Sequence, residues 1–346
     1  MRRTFIIIVL ILSFASPVYA QENLAPSVPK QAEKFMPADQ KNFTDGLWEV
    51  LQSALYYIRP DIKEATSVCM SIIAVALATS VMHTFPGAPD KTIKLTGAAT
   101  ISVILFKSAG SLVNLAIATV IEISEYGKLL LPVMTAALAG QGGVSSSAAI
   151  YTGTAFFDAL LTSVIRKILI PLVYFFLVLS VVNNAIGEEI MKKLRDNMKW
   201  VITWLLKTIL YIYTGYIGIT GVISGTTDAT ALKVAKLAIS GLVPVVGKIL
   251  SDASETVLIS AGAVKNATGI YGLFAILAIW IGPFLQIAVH YLLLKATGAV
   301  CSAFSSKPCV ELVQDFSSAL GLLLAMTGTI CLLLLISLVC FLKGVG

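Results

Sequence analysis

Apolar stretches long enough to cross a bilayer alternate with short polar connections along most of this chain. Windows of about 20 apolar residues, the length that a hydrocarbon core of about 30 Å requires, run over residues 65–83, 95–121, 168–186, 200–223, 269–294 and 318–342. They predict six full helical crossings in an all-α, polytopic membrane protein. Two further apolar regions, 129–165 and 232–264, are interrupted by Gly, Pro, Ser and charged residues. Each is open to two readings, a re-entrant hairpin or a pair of short spans. The clearest interruption is 234–258, VAKLAISGLVPVVGKILSDASETVL, where Gly241, Pro244 and Gly247 lead into Lys248, Asp252 and Glu255. Lipid cannot satisfy freed backbone groups, so broken backbone at bilayer depth belongs inside protein or beside a watery cavity. The segment therefore points to a passage or a site.

An echo of this segment lies upstream. Sliding the chain by 112 residues aligns Pro132 with Pro244, Pro171 with Pro283, Leu130 with Leu242 and Leu161 with Leu273. The unit would be one crossing, one broken region and one crossing, a parallel internal repeat of the kind seen in transporters. Chance coincidence of prolines is the competing explanation.

The amino-terminal region has a different character. Arg2 and Arg3, an apolar run from Phe5 to Leu12, and Val18-Tyr19-Ala20 before Gln21 match a cleavable secretory signal over residues 1–20. Residues 21–64 form a polar mature start with three early prolines. After them Phe43, Leu47, Val50, Leu51, Ala54, Leu55 and Ile58 recur at helical spacing. With Trp48, Tyr56 and Tyr57, this amphipathic helix suits either the membrane interface or packing on the rest of the protein. The membrane domain then occupies 65–346.

Cleavage would leave the mature N-terminus and the C-terminus outside the cytoplasm. Connections 84–94, 187–199 and 295–317 would then face the cytoplasm. The second carries Lys192, Lys193, Arg195 and Lys199. The positive-inside rule favours that loop as cytoplasmic, yet the opposite side holds more Lys and Arg overall. The signal therefore carries the orientation.

Composition agrees with the membrane class: 57% of the 346 residues are hydrophobic and 13% charged, against about 25% charged in a soluble domain. The net charge of +6 is scattered, without the basic stripe that nucleic acid needs. Five cysteines, Cys69, Cys301, Cys309, Cys331 and Cys340, are odd in number and mostly lie in apolar runs. They fit small packing residues better than a disulfide framework; a Cys301–Cys309 pair is the alternative.

Candidate chemistry is sparse. The stretch 241–248 imitates a phosphate loop, but five residues separate its glycines and Ile249 stands where Ser or Thr is needed. Two histidines, His83 and His290, have no carboxylate or thiol at metal-ligand spacing, and no nucleophile elbow occurs. These observations predict no enzyme, metal or cofactor. Ionisable residues inside apolar windows are functional candidates by default, and these are Lys107, Asp158, Lys248, Asp252 and Glu255. Lys207 lies near a crossing's end, where it can snorkel. Lys248 and Asp252, at i and i+4, could equally pair with each other on one helix. Together with Pro132, Gly241, Pro244 and Gly247, the five make up the candidate passage or assembly residues. Gly215, Gly218, Gly221 and Gly225 form a small-residue face suited to close helix approach.

At 233–258, 129–143 (LLLPVMTAALAGQGG) and 265–272 (KNATGIYG), the chain resembles the stage III sporulation protein AE family of endospore-forming bacteria. The resemblance covers essentially the whole chain, with Lys236 to Ser240 and Pro244 to Gly247 matching its characteristic elements. It implies a multi-pass subunit in the mother-cell membrane around the forespore. There it would work with other stage III sporulation proteins and a forespore membrane partner in a secretion-like channel that supports late forespore gene expression. The resemblance assigns no catalytic residue; apart from it, the expected partners are the lipid bilayer and further copies of the chain in a homo-oligomer, with no nucleic acid. Two other readings stand beside it: a secondary transporter of a small solute, motivated by the repeat, and a non-conducting scaffold.

Overall fold

The computed structural model describes the backbone of residues 25–37, 43–82, 85, 90–186, 189–242 and 246–343. Side chains are described over the same ranges apart from 43, 90–91, 185–191 and 220–264. The signal-like residues 1–20 and the link 243–245, which contains Pro244, lie outside the described residues. All regular structure within them is helical: α1 (Lys30–Glu33), α2 (Phe43–Tyr57), α3 (Arg59–Met82), α4 (Asp90–Gly140), α5 (Val144–Val164), a π-helical turn (Ile165–Leu169), α6 (Ile170–Ile186), α7 (Glu189–Leu242), α8 (Val246–Cys301) and α9 (Lys307–Lys343).

Among the described residues six stretches are long and apolar enough to cross a membrane, one each in α3, α4, α7, α8 and α9 and one running through α5 and α6. Each contains or overlaps one of the six expected crossings. The helices are much longer than the windows. At 1.5 Å per residue, the 51 residues of α4 extend about 77 Å, more than twice a bilayer's apolar thickness. The broken region 129–165 is accordingly the far end of α4, a turn and α5, continuous with the crossings on either side.

Local chemistry explains how these rods turn and join. At the end of α4, Gly142 adopts φ 92°, Gly143 N–H donates to Leu138 O at 3.1 Å and Gly142 N–H to Ala139 O at 2.9 Å. This pair of bonds satisfies the last carbonyls and needs a left-handed residue, which glycine supplies without a Cβ penalty. Pro171 sits just past the π-helical turn, where Ile170 N–H reaches Ile165 O. Proline has no N–H for Lys167 O and its ring would strike that carbonyl in a regular helix. The wider turn relieves the clash, so α5 and α6 pass as one helix. Pro132 lies inside α4 and Pro283 inside α8.

The connections are shorter than the polar patterning suggested. Lys192, Lys193, Arg195 and Lys199 belong to α7, and α9 already begins at Lys307. Charged residues at the start of a long helix extend it into the interface and do not break it, because Lys and Arg are good helix formers.

The core centres on α9, which packs against α4, α5, α6, α7 and α8. Its apolar window is 61% buried, against 22% for α3 at the periphery. Glycines let the central helices approach: Gly127 lies under Leu334, Gly272 under Leu130 and Leu338, and Gly269 under Leu342 and Met134. Gly153 on α5 faces Tyr216 on α7, where a Cβ would come within 2.0 Å of the ring. That ring is held by Phe157, with centroids 6.0 Å apart, and by the bond from its hydroxyl to Ala149 O at 3.1 Å. Gly153→Ala is expected to lower the thermal midpoint in detergent. Overpacking of about 1–3 kcal/mol exceeds the helix-propensity gain of at most about 1 kcal/mol.

By contrast, a Cβ at Gly215 or Gly218 meets nothing within 4 Å among the described residues. The amphipathic α2 is seated on α8, with Val50 and Ala54 buried and Gly46 against the Phe274 ring. Trp48, Leu55 and Tyr56 remain more than 60% exposed on its outer side.

Candidate functional site

Three polar assemblies involve the long apolar helices. The most open is a groove between α3 and α4. On α3, Glu64, Ser67 and Ser71 fall at i, i+3 and i+7 and so share one face. On α4, Lys107 and Ser111 at i and i+4 share a face, with Ser108 beside them. Together with Val68, Val103 and Ile104 these residues line a groove of about 510 Å³. Glu64, Ser67, Ser71, Lys107 and Ser111 are exposed. Ser71 donates to Ser67 O at 2.9 Å and Ser111 to Ser108 O at 2.8 Å, which leaves hydroxyl lone pairs as acceptors in the groove. The Lys107 ammonium has no carboxylate within 4.0 Å among the described residues. A lone charge at the middle of a spanning helix costs about 2.5–3.5 kcal/mol on insertion scales, so a groove holding one needs water or protein as its neighbour.

The second assembly is closed. Asp158 on α5 is 2% exposed. Ser124 on α4 donates to its Oδ2 at 2.6 Å, while Oδ1 has no hydrogen-bond partner. One turn away Thr154 bonds Tyr213 OH at 3.1 Å and Ser337 Oγ at 2.7 Å. These hydroxyls join α5, α7 and α9 through the apolar core.

The third assembly ties three helix ends. Arg195 on α7 donates from Nη1 to Asp315 Oδ2 on α9 at 2.7 Å, and Ser180 on α6 donates to the same carboxylate. The remaining guanidinium N–H groups reach the exposed Asp196 at 3.2 and 3.1 Å. Arg195 and Asp315 are themselves 7% and 8% exposed. This is a paired, hydrogen-bonded ion cluster, the form in which buried charge is tolerated.

Of the candidate residues, Lys107 lines the open groove, Asp158 is buried, and Pro132 is exposed on α4. The structure does not bring these three together. Gly241 belongs to α7, and Gly247, Lys248, Asp252 and Glu255 to the first turns of α8; their side chains, and Pro244 altogether, fall outside the description. Sequence reasoning missed Glu64 and the serines of the groove, which no periodicity distinguishes from a solvated helix start. Asp315 was missed as well, although a carboxylate next to a long apolar run was signal enough. Among the described residues no group of three or more His, Cys, Asp and Glu is placed to hold a metal ion.

A family model described as stage III sporulation protein AE matches residues 30–344. The chain belongs to that family. A stage III sporulation protein AE from Bacillus subtilis (strain 168) is 24% identical over 226 residues, which is 65% of this chain and 57% of the relative. The aligned part thus spans somewhat over half of the relative's length. No solved structure matches. Family membership supports a stage III sporulation role for this protein with six long apolar helices.

Proposed function

We propose that this protein is the membrane conduit subunit of a channel between mother cell and forespore. It would lie in the mother-cell membrane with its mature N-terminus outside the cytoplasm and act with other stage III sporulation proteins and a forespore partner. The observation that carries the reading is the α3–α4 groove, a path of hydroxyls and two opposite charges within spanning helices. Lipid would leave those groups unsatisfied, whereas a watery passage or a neighbouring subunit satisfies them. The long helical hairpins support the same reading, since they provide height beyond one bilayer for contact with partners across the intermembrane space.

Replacing Lys107 with Leu removes the charge and keeps the helix. Lys107→Leu is expected to reduce heat-resistant spores by an order of magnitude or more while the protein stays at its usual level in membranes. Normal sporulation of this variant would remove the groove from the function, and normal sporulation of a deletion strain would overturn the sporulation role itself.

A further inference from the structure

We infer that the α3–α4 groove is the seat of a second copy of this chain, so that the passage is completed only between two copies. This rests on the conduit reading for its purpose and on the groove's shape and charge for its geometry. The groove is open sideways: α3 is the least buried of the six spanning stretches among the described residues, where Glu64, Ser67, Ser71, Lys107 and Ser111 are exposed. A water-filled groove open to lipid is not a sealed path. A wall must come from another protein surface.

The groove's own charges select that surface. Glu64 stands on the α3 wall and Lys107 on the α4 wall. Turning a second copy by a twofold axis along the membrane normal sets its α4 against this α3 and its α3 against this α4. Lys107 then faces Glu64 of the second copy, and the reverse pair forms at the same time. A mixed-sign groove is in this way complementary to itself, as a closed twofold contact requires, and each charge gains an opposite partner in a low-dielectric setting. Close approach is open as well. A Cβ at Gly110 would meet nothing within 4 Å, and Gly110 lies one turn from Lys107 on α4, where small residues favour helix pairing in lipid. Val103, 72% exposed, and Met70, 61% exposed, supply an apolar rim.

The test uses the full-length protein in membranes of sporulating cells. Single variants Ser67→Cys and Ser108→Cys are treated with a membrane-permeant bis-maleimide, with the unsubstituted chain as background. Ile212→Cys, at a site 58% exposed on α7, serves as a control surface. The expected result is a covalent species of twice the monomer mass from the two groove variants and none above background from Ile212→Cys. Adding Lys107→Glu should lower the dimer yield several-fold, and adding Glu64→Lys to that variant should restore it. The inference is overturned if the groove variants give no self-dimer, if Ile212→Cys dimerises equally, or if they are captured only on a different protein. It is also overturned if the reciprocal charge exchange fails to restore the yield. Because the readout is a covalent dimer and not spore yield, failure of the conduit reading and failure of this interface are seen separately.

Discussion

Arg195→Ala and Asp315→Ala are each expected to destabilise the bundle by about 3–5 kcal/mol, since either leaves a charge in a buried site without its buried counter-ion. The Asp315 carboxylate takes hydrogen bonds from Arg195 and Ser180. Loss of the guanidinium leaves it with one hydroxyl donor. Loss of the carboxylate leaves Arg195 with Asp196 alone, whose side chain is 60% exposed and therefore a weak, screened partner. The damage should be specific to imbalance. Replacing both together, Arg195→Met with Asp315→Leu, removes both desolvated charges and fills similar volume, so the double variant should lose much less than the sum of the singles. Thermal unfolding of detergent-solubilised protein measures this. Additive losses in the double variant would show that the pair does not act as a unit.

Phe274→Ala is expected to cost about 3–5 kcal/mol, the range for removing a buried aromatic ring. Phe274 is 0% exposed on α8, and its ring lies over Gly46 of α2, where a Cβ would come within 2.5 Å of it. Its loss should open a cavity and weaken the seat of α2 as well. Limited proteolysis should then cut near residues 38–60 faster in the variant than in the parent, together with the lowered midpoint. Unchanged proteolysis beside a lowered midpoint would mean that α2 is held by its other buried contacts, Val50 and Ala54.

The chain states some of this plainly and hides the rest. All six crossings were legible because a run of about 20 apolar residues has few other uses. The hairpin turn was foreshadowed by Gly-Gly at 142–143, since a left-handed helix end calls for glycine. The apparent interruption at Pro132 and the effect of Pro171 inside a crossing were less legible. A proline signals a lost hydrogen bond, but whether the helix ends, kinks or widens depends on its neighbours; here α4 continues and a π turn absorbs Pro171. The 112-residue offset remains a pattern of sequence. Asp158 was recognised as unusual from its apolar setting alone, yet Ser124, 34 residues away, could be paired with it only in space.

The sequence by itself determined the helical membrane class and the six long apolar stretches, which follow from local composition, and the family, which particular motifs carry. Tertiary structure decided which charges are neutralised and which are left open. Arg195, read along the chain as one of several loop cations, becomes half of a buried pair because α7 and α9 start side by side. Lys107, read as one charge in a crossing, comes to line an uncovered groove because α3 packs beside α4 at the edge of the bundle. Burial and pairing depend on which faces meet, and those contacts join residues more than a hundred positions apart, as with Arg195 and Asp315.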